Sequence, residues 1–435
     1  MNVDKNEGVP LTEDQRESLG LINIGTFLEY FDFKIYIHLT VVLNVLFFPK
    51  TDGYTQSLLM VLSFSMAYLL RPIGALIFGF LGDLWGRKTN ILITTLMMSV
   101  VTFLMGCMPT YDQIGWKASV AVMICHAIQG VASGVEIIGA VIYTSELVKA
   151  PRCYFYTAFI EAAAEFGTLF SLVICTIFFT LRPDDGWRYV CFFGSGIAVI
   201  GSIARTRLKE SPEFLEATNE IKNRSQRKEI VLKAFVEYRK NIFNFLLLEL
   251  RGPFLFFLSF ICLSKFLEKT YGFTSAEVIR HNLYIALISF VSYLSFVFIS
   301  RRIYPIKLLK IIGFALLALA LALPYLVTQN SSILQIFVVQ ALIASMNITG
   351  VADAIFARGF PVIGRYTVMG VSYSLARAIA AAGTSYGCVM VASMYGFMGI
   401  SVLMAIIMIL HLIGLYNFNP SAEDKIIEQE WKMGY

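Results

Sequence analysis

Residues 71–90 read RPIGALIFGFLGDLWGRKTN, and this stretch decides the fold. A glycine-spaced apolar segment runs up to Gly82 and Asp83, and the basic pair Arg87–Lys88 leads directly into another apolar segment. Each segment is close to the length that spans a bilayer as a helix, so the charged turn lies at a membrane surface. The stretch predicts a polytopic membrane protein whose helices are joined by short charged turns.

Composition supports the same class. The 435 residues are 57% hydrophobic and 15% charged, with a mean hydropathy of +0.69, whereas soluble domains contain about 25% charged residues. Reading apolar stretches of about 20 residues as helices predicts twelve spans. They lie near 19–48, 57–81, 89–108, 118–147, 154–181, 187–204, 241–267, 280–300, 308–328, 333–357, 367–392 and 395–416. The predicted fold class is all-α and polytopic.

The distribution of Lys and Arg predicts the orientation. Of the 35 basic residues, seven fall in one set of loops and four within spans, and the other 24 fall on the side of both termini. Because basic residues concentrate in cytoplasmic loops, we expect both termini in the cytoplasm and the protein in the inner membrane. The first 18 residues are polar and do not resemble a signal peptide. The net charge of +5 then reflects topology and contact with anionic membrane lipid, and nucleic acid is not an expected partner.

A long polar stretch, residues 205–240, divides six predicted spans from six. We predict an N-terminal bundle at 1–204, a cytoplasmic linker at 205–240, and a C-terminal bundle with a tail at 241–435. Ser211-Pro212 begins a predicted surface helix in the linker. In the seventh span Pro253 predicts an interruption, either a structural kink or a place of substrate contact.

Charged side chains within spans are costly, about 2.5–3.5 kcal/mol each at a helix centre, and so indicate function. In the first span Glu29, Asp32 and Tyr36 share one helix face, while Lys34 points elsewhere. Two neighbouring carboxylates cannot both be ionised cheaply in a low dielectric, which suits a proton carrier. A static ion pair with Arg71 or Arg377 is the alternative.

Other spans add polar candidates. Glu161 and Glu165 share a face of the fifth span, with Glu165 the deeper of the two, and Gln129 and Glu136 lie in the fourth. In the eleventh span Arg377 shares a face with Tyr373 and Ser374, which suits binding of an anion or pairing with carboxylates of the first half.

The chain contains no nucleotide-binding loop, metal-binding cluster or catalytic nucleophile motif. The seven Cys are scattered singly, as inert packing residues are. No enzyme activity, metal or cofactor is expected, and any energy must come from a gradient.

Over nearly its full length the chain resembles the major facilitator superfamily, and within it the metabolite:proton symporters for proline/betaine, α-ketoglutarate, citrate and shikimate. The motifs are GTFLEYFDFKIY (25–36), RPIGALIFGFLGDLWGRK (71–88), HAIQGVASGVE (126–136), DGWR (185–188), ESPEF (210–214) and FPVIGRYT (360–367).

The resemblance implies two six-helix bundles that rock around a central cavity. Glu29, Asp32, Arg71 and Gln129 would line or support the cavity. A cytoplasmic gate would comprise Gly79, Gly82, Asp83, Arg87, Glu146 and Arg152. Asp83 can accept hydrogen bonds from the N-terminus of a neighbouring helix, and the two glycines let that helix approach.

Some residues depart from the family pattern. His126 stands where Arg is usual, Arg301 where Asp is usual, Tyr304 where Gly is usual, and Arg358 where an acid is usual. Because the second-half copy of the charged motif is altered, we expect a one-sided latch borne by the first half.

These observations predict a monomeric, proton-coupled importer of a small polar solute. A zwitterionic osmolyte or amino acid is favoured and a carboxylate metabolite comes next. A facilitative or exchange carrier, or a transporter-derived solute sensor, is the alternative.

Overall fold

The regular structure of the chain is helical. A computed structural model describes residues 11–49, 66–182, 185–221, 224–328 and 330–432, and these contain no strand. The helices are α1 Glu13–Phe47, α2 Arg71–Trp85, α3 Arg87–Cys107, α4 Tyr111–Ile114, α5 Trp116–Ala132, α6 Glu136–Leu147, α7 Arg152–Leu181, α8 Gly186–Arg205, α9 Pro212–Glu220, α10 Arg224–Glu237, α11 Arg239–Glu249, α12 Arg251–Phe257, α13 Leu263–Tyr271, α14 Ser275–Ile299, α15 Pro305–Leu326, α16 Ile333–Ser345, α17 Asp353–Arg358, α18 Arg365–Asn417 and α19 Ala422–Lys432.

Ten segments of the described chain are long and apolar enough to cross a membrane. They are Met66–Trp85, Arg87–Cys107, Trp116–Leu147, Arg152–Leu181, Gly186–Ile203, Arg239–Tyr271, Glu277–Ile299, Pro305–Leu326, Ile333–Arg358 and Met394–Asn417. The first and eleventh predicted spans fall in α1 and the first part of α18, and residues 57–65 of the second lie outside the described residues. The prediction of an all-α polytopic protein is confirmed.

Several spans are interrupted. The fourth breaks between α5 and α6, and the tenth breaks between α16 and α17. Irregular backbone at membrane depth is tolerated only inside protein or beside a cavity. In the seventh span the helical hydrogen bonding is interrupted at Leu250, whose backbone angles stay helical, and Pro253 lies in the first turn of α12, where its missing N–H is not needed. Helix α18 changes direction at Gly396, whose φ of 59° and ψ of −145° favour glycine.

Helices α1 to α8 form the first half of the molecule and helices α11 to α18 the second. Within the first half α1 packs against α7 and α8, and within the second α18 packs against α11 and α15. The halves meet where α2 packs against α18 and α7 packs against α14. The largest apolar core is continuous across this junction, with buried side chains such as Ile142, Tyr143, Phe254 and Leu258.

Candidate functional site

A cavity of about 60 Å³ lies between the two halves. The broken seventh and tenth spans both reach it, through Gly252 and Pro253 and through Asn347 and Thr349. Its lining is Tyr30, Lys34, Tyr68, Glu161 and Glu165 from the first half, with Gly252, Pro253, Phe256, Phe257, Tyr293, Asn347, Thr349, Arg377, Ala381 and Thr384 from the second. This composition combines charged, amide and aromatic groups in one space.

The cavity contains groups of both charges. Glu161 and Glu165 come from α7, Lys34 from α1 and Arg377 from α18. Glu161 is buried at 7% exposure, so its side chain does not extend to a membrane surface. The Nζ of Lys34 lies 3.8 Å from the centroid of the Phe256 ring, on the opposite half. Two acids and two cations leave the cavity close to neutral when these groups are ionised.

Arg377 pairs with a carboxylate of its own half, so its binding of an anion stays a prediction. Its Nη2 lies 3.9 Å from Oε2 of Glu249, and its guanidinium carbon lies 4.3 Å from the centroid of the Tyr373 ring. It also lines the cavity together with Glu161. Ser374, on the face predicted to bind an anion, instead donates to the Gly134 carbonyl at 2.5 Å.

Helix α1 divides its polar residues between two environments. Tyr30 and Lys34, four residues apart, face the cavity. Glu29 and Asp32 are buried, and neither belongs to the described cavity lining. Lys34, predicted to point away from the face of Glu29 and Asp32, does so and lines the cavity. The Tyr36 side chain lies outside the described residues, so its role stays a prediction.

Glu29 meets Glu136 of α6 inside the first half. Both are buried, and in each the Oε2 atom has no hydrogen-bond partner among the described residues. Oε1 of Glu136 accepts from Thr95 Oγ1 at 2.6 Å and pairs with Arg205 Nη1 at 3.0 Å. Two neighbouring carboxyls in a low dielectric cannot both be ionised cheaply, which suits a proton carrier.

Asp32 has a different set of partners. Its Oδ2 accepts from Thr102 Oγ1 at 2.9 Å, and Gln129 Nε2 donates to the same hydroxyl at 3.3 Å. The Arg71 guanidinium lies over the rings of Phe33 and Tyr68, at 4.4 and 4.6 Å. Among the ion pairs of the described residues, none joins Glu29 or Asp32 to Arg71 or Arg377, so the static pair considered above is not formed.

The charged motif contacts the second half at the predicted cytoplasmic face. Oδ2 of Asp83 accepts from the Thr367 amide at 2.9 Å and from its hydroxyl at 2.6 Å, at the first turn of α18. A Cβ built on Gly79 would lie 2.8 Å from Thr367 Cα, and one on Gly82 would lie 2.9 Å from Tyr366 Cδ1. The contact has the geometry expected from the sequence.

Arg87 extends this contact into a buried network. It pairs with Asp83 at 2.8 Å and Glu146 at 3.3 Å, and it donates to the Val362 carbonyl at 2.9 Å. Glu146 also pairs with Arg365 of the second half at 3.2 Å. The Asp83, Arg87 and Glu146 side chains are all 0% exposed. Removing one member of a buried ion pair costs about 3–5 kcal/mol, so the network links the two halves firmly at this face.

Glu210, at the start of the predicted linker, caps helix α3. Its two carboxylate oxygens accept from the backbone amides of Arg87 at 2.9 Å and Lys88 at 3.3 Å. The preceding N-cap residue is Gly86, which has no side chain to satisfy these amides. A carboxylate at a helix N-terminus also opposes the helix dipole favourably.

The next linker residues bind the same network. Ser211 Oγ donates to Glu146 Oε2 at 2.5 Å, and Glu213 of α9 pairs with Arg365 at 3.4 Å. Arg152 lies at the start of α7 and lines a wide cleft together with Glu213. The linker therefore packs directly on the predicted gate.

The C-terminal helix α19 joins the two halves at the same face. Asp424 is fully buried; its carboxylate accepts from Tyr154 Oη of α7 and from Arg358 Nε at 3.4 Å. Tyr304 Oη donates to the Asp424 carbonyl at 3.5 Å, and the Tyr304 ring packs edge-on against Trp431 at 5.4 Å. Two of the residues that depart from the family pattern, Tyr304 and Arg358, thus contact α19, and the one-sided latch stays a prediction.

Sequence reasoning missed three side chains that the structure brings to these clusters. Arg205 was counted in the linker, but it ends α8 and is buried against Glu136. Asp424 stands in the polar segment SAEDK (421–425), and Arg365 stands in the motif FPVIGRYT (360–367), but neither sequence shows that the side chain would be buried in an ion pair. The position of Arg205 directly after the sixth apolar run could have indicated that it ends that span and pairs with a carboxylate of another span, here Glu136.

Known proteins are similar in sequence to about half of the chain. A family model described as "Sugar (and other) transporter" matches residues 21–233. The chain is 31% identical over 211 residues to the proline/betaine transporter of Escherichia coli (strain K12), covering 47% of this chain and 42% of that protein. It is 31% identical over 231 residues to the putative proline/betaine transporter of Staphylococcus aureus (strain COL), covering 51% and 48%. Each match spans less than half of the relative's length.

Solved structures match along nearly the whole chain. The proton:xylose symporter XylE, bound to 6-bromo-6-deoxy-D-glucose, has a TM-score of 0.76 at 14% identity, covering 92% of this chain and 94% of that one. The transporter FucP in the outward conformation has a TM-score of 0.71 at 13% identity, covering 94% and 100%. At this identity the likeness shows the fold alone.

The described helices, with a charged cavity between two halves and a buried ion network at one face, have the fold of these solved transporters. The family match over residues 21–233 agrees with the motifs quoted from the first half of the sequence.

Proposed function

We propose that the protein imports a small zwitterionic solute, an osmolyte or amino acid such as glycine betaine or proline, together with protons. The observation that carries this proposal is the cavity between the halves, which places carboxylates, cations and aromatic rings around one small space. The names of the curated relatives, proline/betaine transporters, support the same solute class.

The cavity offers a place for each end of a zwitterion. Glu161 and Glu165 of α7 would attract an ammonium group, and the ring of Phe256 would add a cation–π contact. Arg377, on the other half, would bind the carboxylate. Because the two ends are held by different halves, the bound solute would help to draw the halves together.

The coupling proton would reside at the Glu29–Glu136 pair. This pair lies in the first half and away from the described lining of the cavity, so proton and solute would bind at separate places. Arg205 and Thr95 hold Glu136, which leaves Glu29 as the partner free to respond to movement of α1. Glu165 and Asp32 remain further candidates for proton handling.

Transport would proceed by alternating access. The network around Asp83, Arg87 and Glu146 closes the predicted cytoplasmic face, as it would in an occluded or outward-facing state. Opening to the cytoplasm would separate Asp83 from Thr367 and Glu146 from Arg365. The rocking units would be the bundles 1–204 and 241–435, with 205–240 as their linker.

We further propose the membrane, the orientation and the oligomeric state in which transport takes place. The protein would lie in an inner membrane with both termini in the cytoplasm, in contact with anionic lipid, and would work as a monomer. The basic residues of the linker and of the loops on the same side support that orientation. No enzyme activity is part of the proposal.

Uptake of labelled glycine betaine or proline into proteoliposomes tests the proposal. We expect accumulation above the external concentration when the exterior is made acidic, and its loss when a protonophore is added. Equilibration that is indifferent to the gradient would leave a facilitative or exchange carrier. High-affinity binding without flux would instead indicate a sensor.

A further inference from the structure

We propose that the side-chain ammonium of Lys34 occupies the subsite where the solute's ammonium group would bind, and that Lys34 thereby makes the cavity select zwitterions over simple cations. The inference rests on the proposed function and deepens it by naming a specificity residue.

The position of the Lys34 ammonium carries the inference. Its Nζ lies 3.8 Å from the centroid of the Phe256 ring, within a cavity that also contains Glu161 and Glu165. An ammonium over an aromatic ring beside carboxylates is the environment that proteins use to recognise amine and quaternary ammonium ligands. Here this environment is occupied by the chain's own cation.

The ammonium of Lys34 can move away from the Phe256 ring. Its head group is on a flexible four-carbon stem, so it can move without displacing helix α1. Its neighbour on the same face, Tyr30, also lines the cavity, so a displaced ammonium would stay within the cavity region. A solute ammonium could then take the position over Phe256.

Charge balance decides which solutes can do this. The side chains that line the cavity have no net charge when Glu161, Glu165, Lys34 and Arg377 are ionised. A zwitterion brings no net charge, and its carboxylate can pair with the displaced Lys34 or with Arg377. A simple cation adds one uncompensated positive charge in a low dielectric, which is costly. Lys34 therefore penalises cations that lack a carboxylate.

Glycine betaine and choline form a matched pair of probes, because both have a trimethylammonium group and only glycine betaine has a carboxylate. Binding of each to the purified full-length protein in detergent would be measured by isothermal titration calorimetry. We expect wild type to prefer glycine betaine. Lys34→Met removes the charge and keeps the stem, and we expect it to raise the affinity for choline itself, so that the choline-to-betaine affinity ratio rises at least about tenfold.

Two further variants control the experiment. Lys310 also lies over a ring, 4.1 Å from the Tyr416 centroid and away from the described cavity lining, so Lys310→Met should leave the ratio unchanged. Phe256→Leu should weaken binding of both probes. Melting temperatures of all variants would confirm that each is folded.

The outcomes separate the two proposals. Betaine binding by wild type together with an unchanged ratio in Lys34→Met would overturn the role of Lys34 and leave the proposed function standing. Loss of betaine binding alone in a folded Lys34→Met protein, with no gain for choline, would also overturn it and make Lys34 a direct ligand. A wild type that binds neither glycine betaine nor proline would overturn the proposed solute class and this inference with it.

Discussion

Asp83 of α2 accepts two hydrogen bonds from Thr367 at the first turn of α18, one from its amide and one from its hydroxyl. The same carboxylate pairs with Arg87, which reaches the Val362 carbonyl on the second half. One buried acid therefore links a motif of the first half to the start of a helix in the second.

Asp83→Asn should impair transport more than folding. The amide keeps a carbonyl acceptor for Thr367 but loses the charge that balances Arg87, and the loss of one partner in a buried pair costs about 3–5 kcal/mol. This cost falls on the closed state of the face, so we expect the rate of glycine betaine uptake to drop at least about tenfold. Melting temperature and expression serve as controls, and normal transport at normal expression would contradict the gate assignment.

Gly79→Ala should loosen the junction of α2 and α18. The built Cβ would lie 2.8 Å from a backbone atom, Thr367 Cα, which cannot move aside as a side chain can. We expect faster hydrogen exchange at the amides of residues 366–368, measured by mass spectrometry. Gly383→Ala is the matched control, because a Cβ there meets nothing within 4 Å. Equal protection in the two variants would show that the close approach is not needed.

Asp424→Asn should release the C-terminal helix. Asp424 is fully buried between Tyr154 and Arg358, and its charge is the partner of the Arg358 guanidinium. Weakening a charged hydrogen bond of this kind costs about 1.5–3 kcal/mol, so hydrogen exchange in α19 should rise by about tenfold or more. Lys425→Gln changes an exposed neighbour and should have no effect. If α19 stays protected in Asp424→Asn, its attachment depends on Trp431 packing instead.

Glu136→Gln should uncouple solute from protons. The glutamine cannot share a proton with Glu29 in the way a carboxyl does, while Thr95 and Arg205 can still bind its carbonyl. We expect exchange of labelled for unlabelled glycine betaine to persist and gradient-driven accumulation to be lost. Glu216→Gln, a variant of the linker helix α9, should behave as wild type. Accumulation by Glu136→Gln at the wild-type level would exclude this pair as the coupling site.

Much of the fold could be predicted from the lengths of the apolar runs. Each span must satisfy its own backbone hydrogen bonds as a helix, so a long apolar run in the sequence indicates one membrane-spanning helix. The approach of α18 to Asp83 was also predictable, since Gly79 and Gly82 remove side chains from one helix face. The interruption near Pro253 was recognised for the same local reason. These features depend on residues close together in sequence.

The identity of the cavity-lining face of α1 was not predictable in that way. Glu29 and Asp32 share a face, and Tyr30 and Lys34 share another, but only packing decides which one meets the second half. Their charge favoured Glu29 and Asp32 as the residues predicted to line the cavity. Arg205 was assigned to the linker for a related reason, because a polar segment gives no sign of which arginine turns inward to meet Glu136.

The most direct test of the account is the pH inside proteoliposomes that contain the protein and a trapped pH-sensitive dye. With no gradient imposed, addition of glycine betaine to the outside should acidify the interior, because each entering solute would carry protons with it. The response should be absent in Glu136→Gln vesicles that still exchange solute. Entry of labelled glycine betaine without any change in internal pH would contradict proton-coupled transport.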